Sequence, residues 1–261
     1  MIGVVGSLAC DVVDGGPPRV GGAAYYCGRA LAVLGQPAVI VTKYAAADHR
    51  LAAPLYGLGV PVEWRPASST IGFRIDNRPE GRRMRLDDVG EPWTPDEIRG
   101  WVGEALHGVE WVHAGALSRA DFPPETLAEL ARGRKVSFEG QGLVRRPEVG
   151  PLVTGADFDR RVLGHVTVVK LSEDEAAVVD VAGLAVPEVV VTLGSRGAIV
   201  YAEGRQEHVG TRALDIPDAT GAGDSFAAAY LVARSAGQDP FEAAASANTV
   251  TGRLLSGWHG R

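Results

Sequence analysis

The chain has 261 residues, of which 46% are hydrophobic and 22% charged, and its formal net charge is −6. This composition is ordinary for a globular protein and excludes disorder, collagen and coiled coil as descriptions of the whole chain. The acidic balance, without a cluster of lysines and arginines, argues against nucleic acid or an anionic membrane as the main partner. The length is typical of one α/β domain, with or without a small appendage.

The cysteines and the amino-terminal segment both point to the cytoplasm. Cys10 and Cys27 are too few for a disulfide scaffold, and their spacing matches no zinc-binding pattern. Residues 1–6 lack the basic region of a signal peptide, and no stretch reaches the roughly 18 apolar residues of a membrane span. We therefore expect a cytoplasmic protein with two buried, reduced thiols.

Short apolar runs alternate with helical stretches in the first part of the chain. Gly21 and Gly22 open an alanine-rich stretch, and Gly35 is suited to end it as a carboxyl-terminal cap. The resulting βαβ rhythm predicts a mostly parallel sheet with helices on both faces. The predicted elements are a strand over 2–5, a helix over 23–34, a strand over 39–42 and a helix over 48–58.

The alternation of strands and helices is interrupted over residues 66–91. Two short stretches over 70–75 and 82–86 flank a polar turn, which indicates a hairpin. The hairpin is either a solvated ribbon or a small β lid over a site, to which residues 12–20 are a further candidate part. It carries four arginines, Arg78, Arg82, Arg83 and Arg85.

Alternation resumes after residue 92 and continues to the end of the chain. Only a five-residue turn separates the last two strands, too short for a crossover helix, so we expect an antiparallel hairpin at a sheet edge. No repeat or linker interrupts the chain, which predicts one domain over residues 1–261. The predicted helices are 95–106, 123–131, 173–179, 221–236 and 241–255, and the predicted strands are 109–114, 136–138, 166–170, 189–192 and 198–201.

The most informative segment is the start of the helix predicted over 221–236. The amides of Ala222, Gly223 and Asp224 are expected to be unpaired there and, with the helix dipole, to form an anion hole. Gly221 and Gly223 let a phosphate approach the backbone. A carboxylate in a first helical turn is favourable by itself, by about 0.3–1 kcal/mol. Beside an anion hole, however, Asp224 can also take a proton from a hydroxyl, as phosphoryl transfer to an alcohol requires.

Two other nucleotide-binding patterns do not occur in the sequence. There is no Gly-x-x-x-x-Gly-Lys-Ser/Thr segment, which excludes a P-loop enzyme. There is also no Gly-x-Gly-x-x-Gly after the first strand, which weakens a nicotinamide-binding interpretation.

Four segments resemble motifs of the ribokinase-like (PfkB) carbohydrate kinases, in the order of that family. Residues 218–226, Asp-Ala-Thr-Gly-Ala-Gly-Asp-Ser-Phe, are similar to its carboxyl-terminal signature. Residues 20–35 resemble its amino-terminal di-glycine motif, and residues 168–175 its Lys-x-Asn-x-x-Glu element. Residues 190–198 resemble the strand and turn beside its nucleotide. The resemblance covers nearly the whole chain.

The resemblance implies a three-layer α/β/α sandwich with a mostly parallel central sheet and a small β lid. It implies ATP-dependent phosphorylation of a hydroxyl group, with Asp224 as the base and Gly221, Ala222 and Gly223 at the transferred phosphate. Mg²⁺ would be organised mainly by Glu175, since Ser172 stands where the family has asparagine; Glu175 could equally be a surface helix residue. A monovalent cation such as K⁺ would lie near Asp218. The nucleotide-binding residues implied are Lys170, Thr192, Gly194, Gly197, Gly221, Gly223 and Asn248, the last of which is alternatively a satisfied helical asparagine.

Two further segments resemble the myo-inositol kinase branch of this family. These are Gly-Ala-Ala-Tyr-Tyr over 22–26 and Glu-Gly-Gln-Gly-Leu-Val-Arg over 139–145, although the second could also be a solvated turn. Tyr26 stands where the family has a sugar-binding asparagine, which disfavours ribose and fructose and favours a cyclitol or aminocyclitol. The substrate-binding residues implied are Asp11, Gly22, Tyr26, Gln141, Arg145 and Asp224.

Three functions from different classes remain open on the sequence. The first is a cyclitol or sugar kinase, whose partners are a small polyol and ATP, with no nucleic acid or membrane, as a monomer or homodimer. The second is a nucleoside kinase of the same fold, in which Tyr25 and Tyr26 would stack on a base. The third is a catalytically silent nucleotide-binding regulator, against which the presence of Asp224 argues.

Overall fold

A computed structural model describes residues 1–78, 81–212 and 219–258. Its strands fall into two sheets, and the predicted α/β architecture is confirmed. In chain order the strands are β1 (Ile2–Val5), β2 (Ala9–Val13), β3 (Arg19–Gly21), β4 (Ala38–Ala45), β5 (Val62–Ala67), β6 (Ile71–Arg78), β7 (Gly81–Asp88), β8 (Trp111–Ala114), β9 (Lys135–Glu139), β10 (Gly150–Pro151), β11 (Val168–Ser172), β12 (Glu188–Thr192), β13 (Ala198–Ala202) and β14 (Arg205–Val209).

The larger sheet has nine strands in the order β14-β13-β12-β11-β9-β8-β1-β4-β5. Every pairing from β12 to β5 is parallel, whereas β13 pairs antiparallel with both β12 and β14. The carboxyl ends of the parallel strands therefore meet at one edge. In open α/β sheets that edge is where ligands bind.

The smaller sheet has five strands in the order β10-β7-β6-β2-β3. The predicted hairpin is its centre, because β6 and β7 pair antiparallel from Gly72 and Asp88 to Arg78 and Gly81. Strand β2 adds to β6 in parallel, and β3 pairs antiparallel with β2. Residues 12–20 thus belong in part to the same sheet as the hairpin.

Helices cover both faces of the larger sheet. Ile2 and Val4 of β1 pack in the same core cluster as Phe226 and Leu231, while Val5 faces the opposite cluster. This alternation is the two-residue period of a strand buried on both faces. The helices are α1 (Ala23–Val33), α2 (Ala53–Tyr56), α3 (Pro95–Glu97), α4 (Gly103–Ala105), α5 (Pro124–Leu130), α6 (Gln141–Val144), α7 (Glu173–Ala176), α8 (Ala222–Ser235) and α9 (Pro240–Trp258), with 3₁₀ turns at Ala46–Asp48, Arg160–His165 and Gly194–Arg196 and a π segment at Ile98–Val102.

Several elements differ from those predicted from the sequence. The helix predicted over 48–58 is only a 3₁₀ turn and the short α2, and the helix predicted over 95–106 is interrupted at Gly100, whose ψ of −119° is not helical. The antiparallel pairing of β12 and β13 is confirmed, but their placement at the edge was wrong. Strand β14 pairs with β13 and is the true edge strand. Four of its five residues are exposed, so its sequence lacks the apolar alternation by which a strand is predicted.

Candidate active site

A cavity of about 860 Å³ lies between the carboxyl edge of the larger sheet and the smaller sheet. This volume is typical of a small-molecule site. Two predicted site residues, Gly197 and Asn248, are not among the residues that line it. The predicted residues that do line it are Asp11, Gly22, Tyr26, Gln141, Arg145, Lys170, Glu175, Thr192, Gly194, Gly221, Ala222, Gly223 and Asp224.

The amino terminus of α8 forms the floor of the cavity. Gly221 is its cap residue and has a left-handed backbone with φ of 79°. A Cβ at this position would also lie 2.4 Å from the ring of Tyr26, so any other residue would be both strained and obstructed. The amide of Ala222 donates to the Ala219 carbonyl at 3.0 Å, so the expectation that this amide is unpaired was wrong. The predicted anion hole is thereby reduced to the amides of Gly223 and Asp224.

Asp224 is half-buried in the first turn of α8 and faces the cavity. Burial raises the pKa of its carboxyl group to about 7, and the charge of Glu139 raises it further, against the opposing effects of Lys170 and Arg145. A carboxylate whose pKa lies near neutrality is suited to accept a proton at physiological pH.

A buried ion pair lies directly behind this floor. Lys170 Nζ on β11 is 2.5 Å from Glu139 Oε1 on the neighbouring β9, and both side chains are almost fully buried. Burial disfavours the charged ammonium, but the attraction of Glu139, Glu175 and Asp224 outweighs it and raises the pKa of Lys170. A Cβ at Gly223 would lie only 2.7 Å from Lys170 Nζ. The ammonium therefore lies beneath the glycine of the predicted anion hole.

The opposite wall is built from the smaller sheet. Asp11 on β2 is buried against Gly21, where a Cβ would lie 2.1 Å from its Oδ2. Burial raises the pKa of Asp11 to about 6, although the charges of Arg19, Arg82 and Arg145 oppose the shift. Arg82 also lines the cavity, as does its neighbour Arg83. This wall presents one carboxylate amid several guanidinium groups.

Helix α6, after β9, contributes two further polar side chains. Gln141 Oε1 is buried without a hydrogen-bond partner among the described residues, which is costly unless a ligand supplies a donor. Arg145, at the end of α6, lies 5.8 Å from the ring centroid of Phe73 and 4.0 Å from Glu175. Burial lowers the pKa of Arg145, against the raising effect of Glu175 and Glu139. The alternative of a solvated turn does not hold for these buried atoms.

Glu175 is held by a capping box at the start of α7. Its Oε2 accepts the backbone N–H of Ser172 at 2.9 Å, and Ser172 Oγ accepts the amide of Glu175 at 3.3 Å. Its Oε1 lies 4.0 Å from Arg145 Nη2, and Glu175 lines the cavity. Mg²⁺ is often bound through one or two carboxylates, water and substrate phosphates, so this single oriented carboxylate fits a magnesium site.

The residues implied for the nucleotide fall into two groups. Thr192 and Gly194 line the cavity, and Thr192 Oγ1 donates to the Leu171 carbonyl at 3.1 Å. Asn248, by contrast, donates its amide to the carbonyl of Val209 at 2.9 Å and ties α9 to β14. A Cβ at Gly197 would lie 2.2 Å from that same carbonyl, so Gly197 has a packing reason to be glycine. Asp218 lies outside the described residues.

Two buried residues near Asp224 escaped the sequence analysis as site residues. Cys27 Sγ donates to the Asp224 carbonyl at 3.3 Å from α1. His113 on β8 is fully buried; burial lowers the pKa of its imidazole to about 3, and the nearby Lys170 lowers it further. The sequence signal available for His113 was a polar residue within the apolar strand 111–114. Which residues surround it depends on the order of the strands in the sheet.

Comparisons with known proteins show which proteins this chain is similar to. Residues 155–253 match the family of pfkB family carbohydrate kinases. A stretch of 113 residues is 36% identical to inositol 3-kinase of Zea mays and covers 41% of this chain and 30% of that protein. The chain therefore spans less than a third of the length of that curated relative.

Solved structures extend the likeness over the whole fold. A pyrophosphate-dependent kinase in the ribokinase family, solved with a pyrophosphate analog and myo-inositol, has a TM-score of 0.83 at 24% identity, covering 98% of this chain and 95% of that one. An uncharacterized sugar kinase from Pyrococcus horikoshii, solved with ATP, has a TM-score of 0.75 at 18% identity, covering 97% and 91%. The predicted resemblance to the ribokinase-like (PfkB) kinases is confirmed. None of the described helices is long and apolar enough to cross a membrane.

Proposed function

We propose that this chain, with the fold and the carboxyl-terminal motif of the ribokinase-like (PfkB) kinases, phosphorylates a hydroxyl group of a cyclitol or related ring polyol. One observation carries the proposal: a half-buried carboxylate, Asp224, faces the cavity from the first turn of α8, directly beside the backbone of Gly223. Base and anion cradle within one helical turn are what transfer of a phosphoryl group to an alcohol requires.

In the proposed reaction Asp224 accepts the proton of the attacking hydroxyl while its oxygen forms the new bond to phosphorus. The bond between the transferred phosphorus and the donor's bridging oxygen breaks, and the remaining phosphates leave with that oxygen. Lys170, beneath Gly223, contributes positive charge at the transferred group, where negative charge builds up. Mg²⁺, when bound through Glu175, would neutralise the phosphates of the donor.

A ring polyol is supported by the distribution of polar groups around the cavity. Asp11 lies on the wall of the smaller sheet, and Gln141 and Arg145 come from α6. The unpartnered Gln141 Oε1 needs a donor from the ligand, which a hydroxyl of the substrate supplies. The similarity to inositol 3-kinase of Zea mays and to the pyrophosphate-dependent kinase solved with myo-inositol supports this choice.

The donor is proposed to be ATP, with K⁺ as an optional activator. The similar structures include both a pyrophosphate-dependent kinase and a sugar kinase bound to ATP. ATP and pyrophosphate both carry the phosphates that the anion hole would hold, but only ATP carries a nucleoside. Competition by adenosine therefore distinguishes them, because only an ATP site has a pocket for the base.

A screen for product formation tests the proposal directly. Inositols, aminocyclitols, hexoses, pentoses and nucleosides are each incubated with Mg²⁺ and either ATP or pyrophosphate, with and without K⁺. We expect phosphorylated product from a cyclitol with ATP. Turnover of nucleosides would establish the nucleoside kinase instead, and turnover of ribose or fructose with inert inositols would overturn the cyclitol assignment. Binding of ATP without any product would support the silent regulator.

A further inference from the structure

Three side chains of kinds that can bind a metal lie close together at a position separate from Glu175, and one of them, Asp224, lines the cavity. Cys27 Sγ, a ring nitrogen of His113 and a carboxylate oxygen of Asp224 all lie within 4.8 Å of one another. They come from α1, β8 and α8, so the tertiary fold alone brings them together. A thiol, an imidazole and a carboxylate are the three ligand types that zinc uses in proteins.

The orientation of His113 supports a ligand at this point. Its Nδ1 lies 3.2 Å from Ser137 Oγ on β9, which holds the ring in one orientation. Its Nε2 is fully buried and has no hydrogen-bond partner among the described residues. A metal-bound histidine usually donates its other ring N–H to an oxygen acceptor, and Ser137 Oγ can serve as that acceptor here. The imidazole is therefore already arranged as a ligand.

The charges around the cluster match a divalent cation. Glu139 Oε2 lies 3.7 Å from His113 Nε2, and Lys170 is paired with the same carboxylate. With Cys27 as a thiolate, its charge and those of Asp224 and Glu139 add to −3. The ammonium of Lys170 leaves a net charge of −2, which a divalent ion neutralises. The ammonium of Lys170 repels a metal ion, but the two negative charges of Glu139 and Asp224 exceed its single positive charge.

We propose that Cys27, His113 and Asp224 form a binding site for a thiophilic divalent cation of the zinc class. The metal enters from the main cavity past Asp224, the half-buried member of the set. It displaces the thiol proton of Cys27 to solvent as the metal–sulfur bond forms. The ligand atoms of a tetrahedral zinc site lie about 3.5 Å apart. The three atoms here lie within 4.8 Å of one another, so side-chain movements of roughly 1 Å would bring them to that separation.

The site has a consequence for the enzyme that depends on the proposed kinase function. Asp224 cannot bind the metal and accept a proton from the substrate at the same time, so occupancy switches off the base. Mg²⁺ does not replace the zinc-class ion, since it prefers oxygen ligands to sulfur and nitrogen. The metal site itself is independent of the function, because binding can be measured without substrate.

Cadmium titration tests the site, with absorbance of the cadmium–thiolate charge transfer as the readout. The chain has two cysteines, so Cys10→Ala is the matched control for Cys27→Ala. We expect one Cd²⁺ per chain in the wild-type protein and in Cys10→Ala, no band in Cys27→Ala, and at least tenfold weaker binding in His113→Gln. Excess Mg²⁺ should not displace the metal.

The same titration can refute the site. A missing band in the wild-type protein, a band that persists in Cys27→Ala, or a band that needs Cys10 would each overturn it, as would unchanged affinity in a folded His113→Gln. If His113→Gln does not fold, proton release from the wild-type protein at pH 8 replaces it. About one proton per Cd²⁺ is expected from the neutral thiol, and no release would contradict thiolate ligation.

Discussion

The two walls of the cavity hold their carboxylates in different ways. Asp224 stands on a long helix over the buried pair Glu139–Lys170, and burial with the charge of Glu139 raises its pKa to about 7. Asp11 stands on the smaller sheet, where burial raises its pKa to about 6 against three arginines. Burial raises both pKa values; at Asp224 the charge of Glu139 adds to the rise, whereas at Asp11 the three guanidinium groups limit it.

Removing the carboxylate of Asp224 should have the largest effect. We expect Asp224→Asn to lower kcat by about 10²–10⁴-fold, because the base is lost while the size of the side chain is kept. Steady-state kinetics with the substrate found in the screen measures this. Asp96→Asn is the matched control, since Asp96 is also in the first turn of a helix but 90% exposed. Near-normal turnover in Asp224→Asn would exclude it as the base.

The same variant should be more stable than the wild-type protein at high pH. The pKa of Asp224 is raised in the folded state, so its stabilising proton is fully bound at low pH and is lost as pH rises through about 7. Asparagine has no charge to bury. Melting temperatures of the two proteins at pH 5 and pH 8 should therefore diverge in favour of Asp224→Asn at pH 8.

Substrate affinity should depend on the polar groups of α6. Gln141→Ala should raise KM for the polyol by roughly 10- to 100-fold, corresponding to one lost buried hydrogen bond, with KM for ATP nearly unchanged. Gln206→Ala is a control on the exposed strand β14. Equal effects on both KM values would mean that Gln141 contacts something other than the substrate.

The charge of Glu139 should control the pH profile of the reaction. Glu139→Gln removes a charge that raises the pKa of Asp224 and leaves Lys170 free to lower it. The acid limb of the kcat profile, expected near pH 7 in the wild-type protein, should move to lower pH. Glu188→Gln is the control, because Glu188 is a buried carboxylate on β12 of the same sheet and forms an ion pair with Arg234 of α8. A shift in both variants would point to general destabilisation.

The smallest effects should come from the wall of the smaller sheet. Arg83→Ala should change kcat/KM only several-fold. The side chain of Arg83 is exposed, and an exposed charge contributes about 1 kcal/mol to an ion pair. Arg74→Ala, on the same hairpin and paired with Asp87, is the control. If the hairpin acts as a lid, hydrogen exchange in residues 70–78 and 81–86 should slow when polyol and a non-hydrolysable nucleotide bind. Unchanged exchange would contradict a lid.

The sequence predicted those parts of the site that local patterns encode. The glycines and Asp224 at the start of α8 belong to one continuous segment, and the hairpin carries its own turn signal. The pair Glu139–Lys170 could not be predicted, since it depends on β9 and β11 being neighbours in the sheet. His113 and Cys27 depend in the same way on β8 and α1. Strands β2, β3, β5, β10 and β14 were not among the predicted strands, and β14 in particular is exposed at four of its five residues and shows no apolar alternation.

Two glycines limit how this pocket can change in evolution or in the laboratory. A Cβ at Gly221 would meet the ring of Tyr26, and a Cβ at Gly21 would meet the carboxylate of Asp11. In both cases the added Cβ would meet a cavity-lining side chain, so neither position can be varied alone. New specificities are accessible through Gln141 and through the arginines of the hairpin, whereas changes at either glycine require a compensating smaller residue at 26 or 11. Mutant libraries aimed at new acceptors should hold residues 21 and 221 constant.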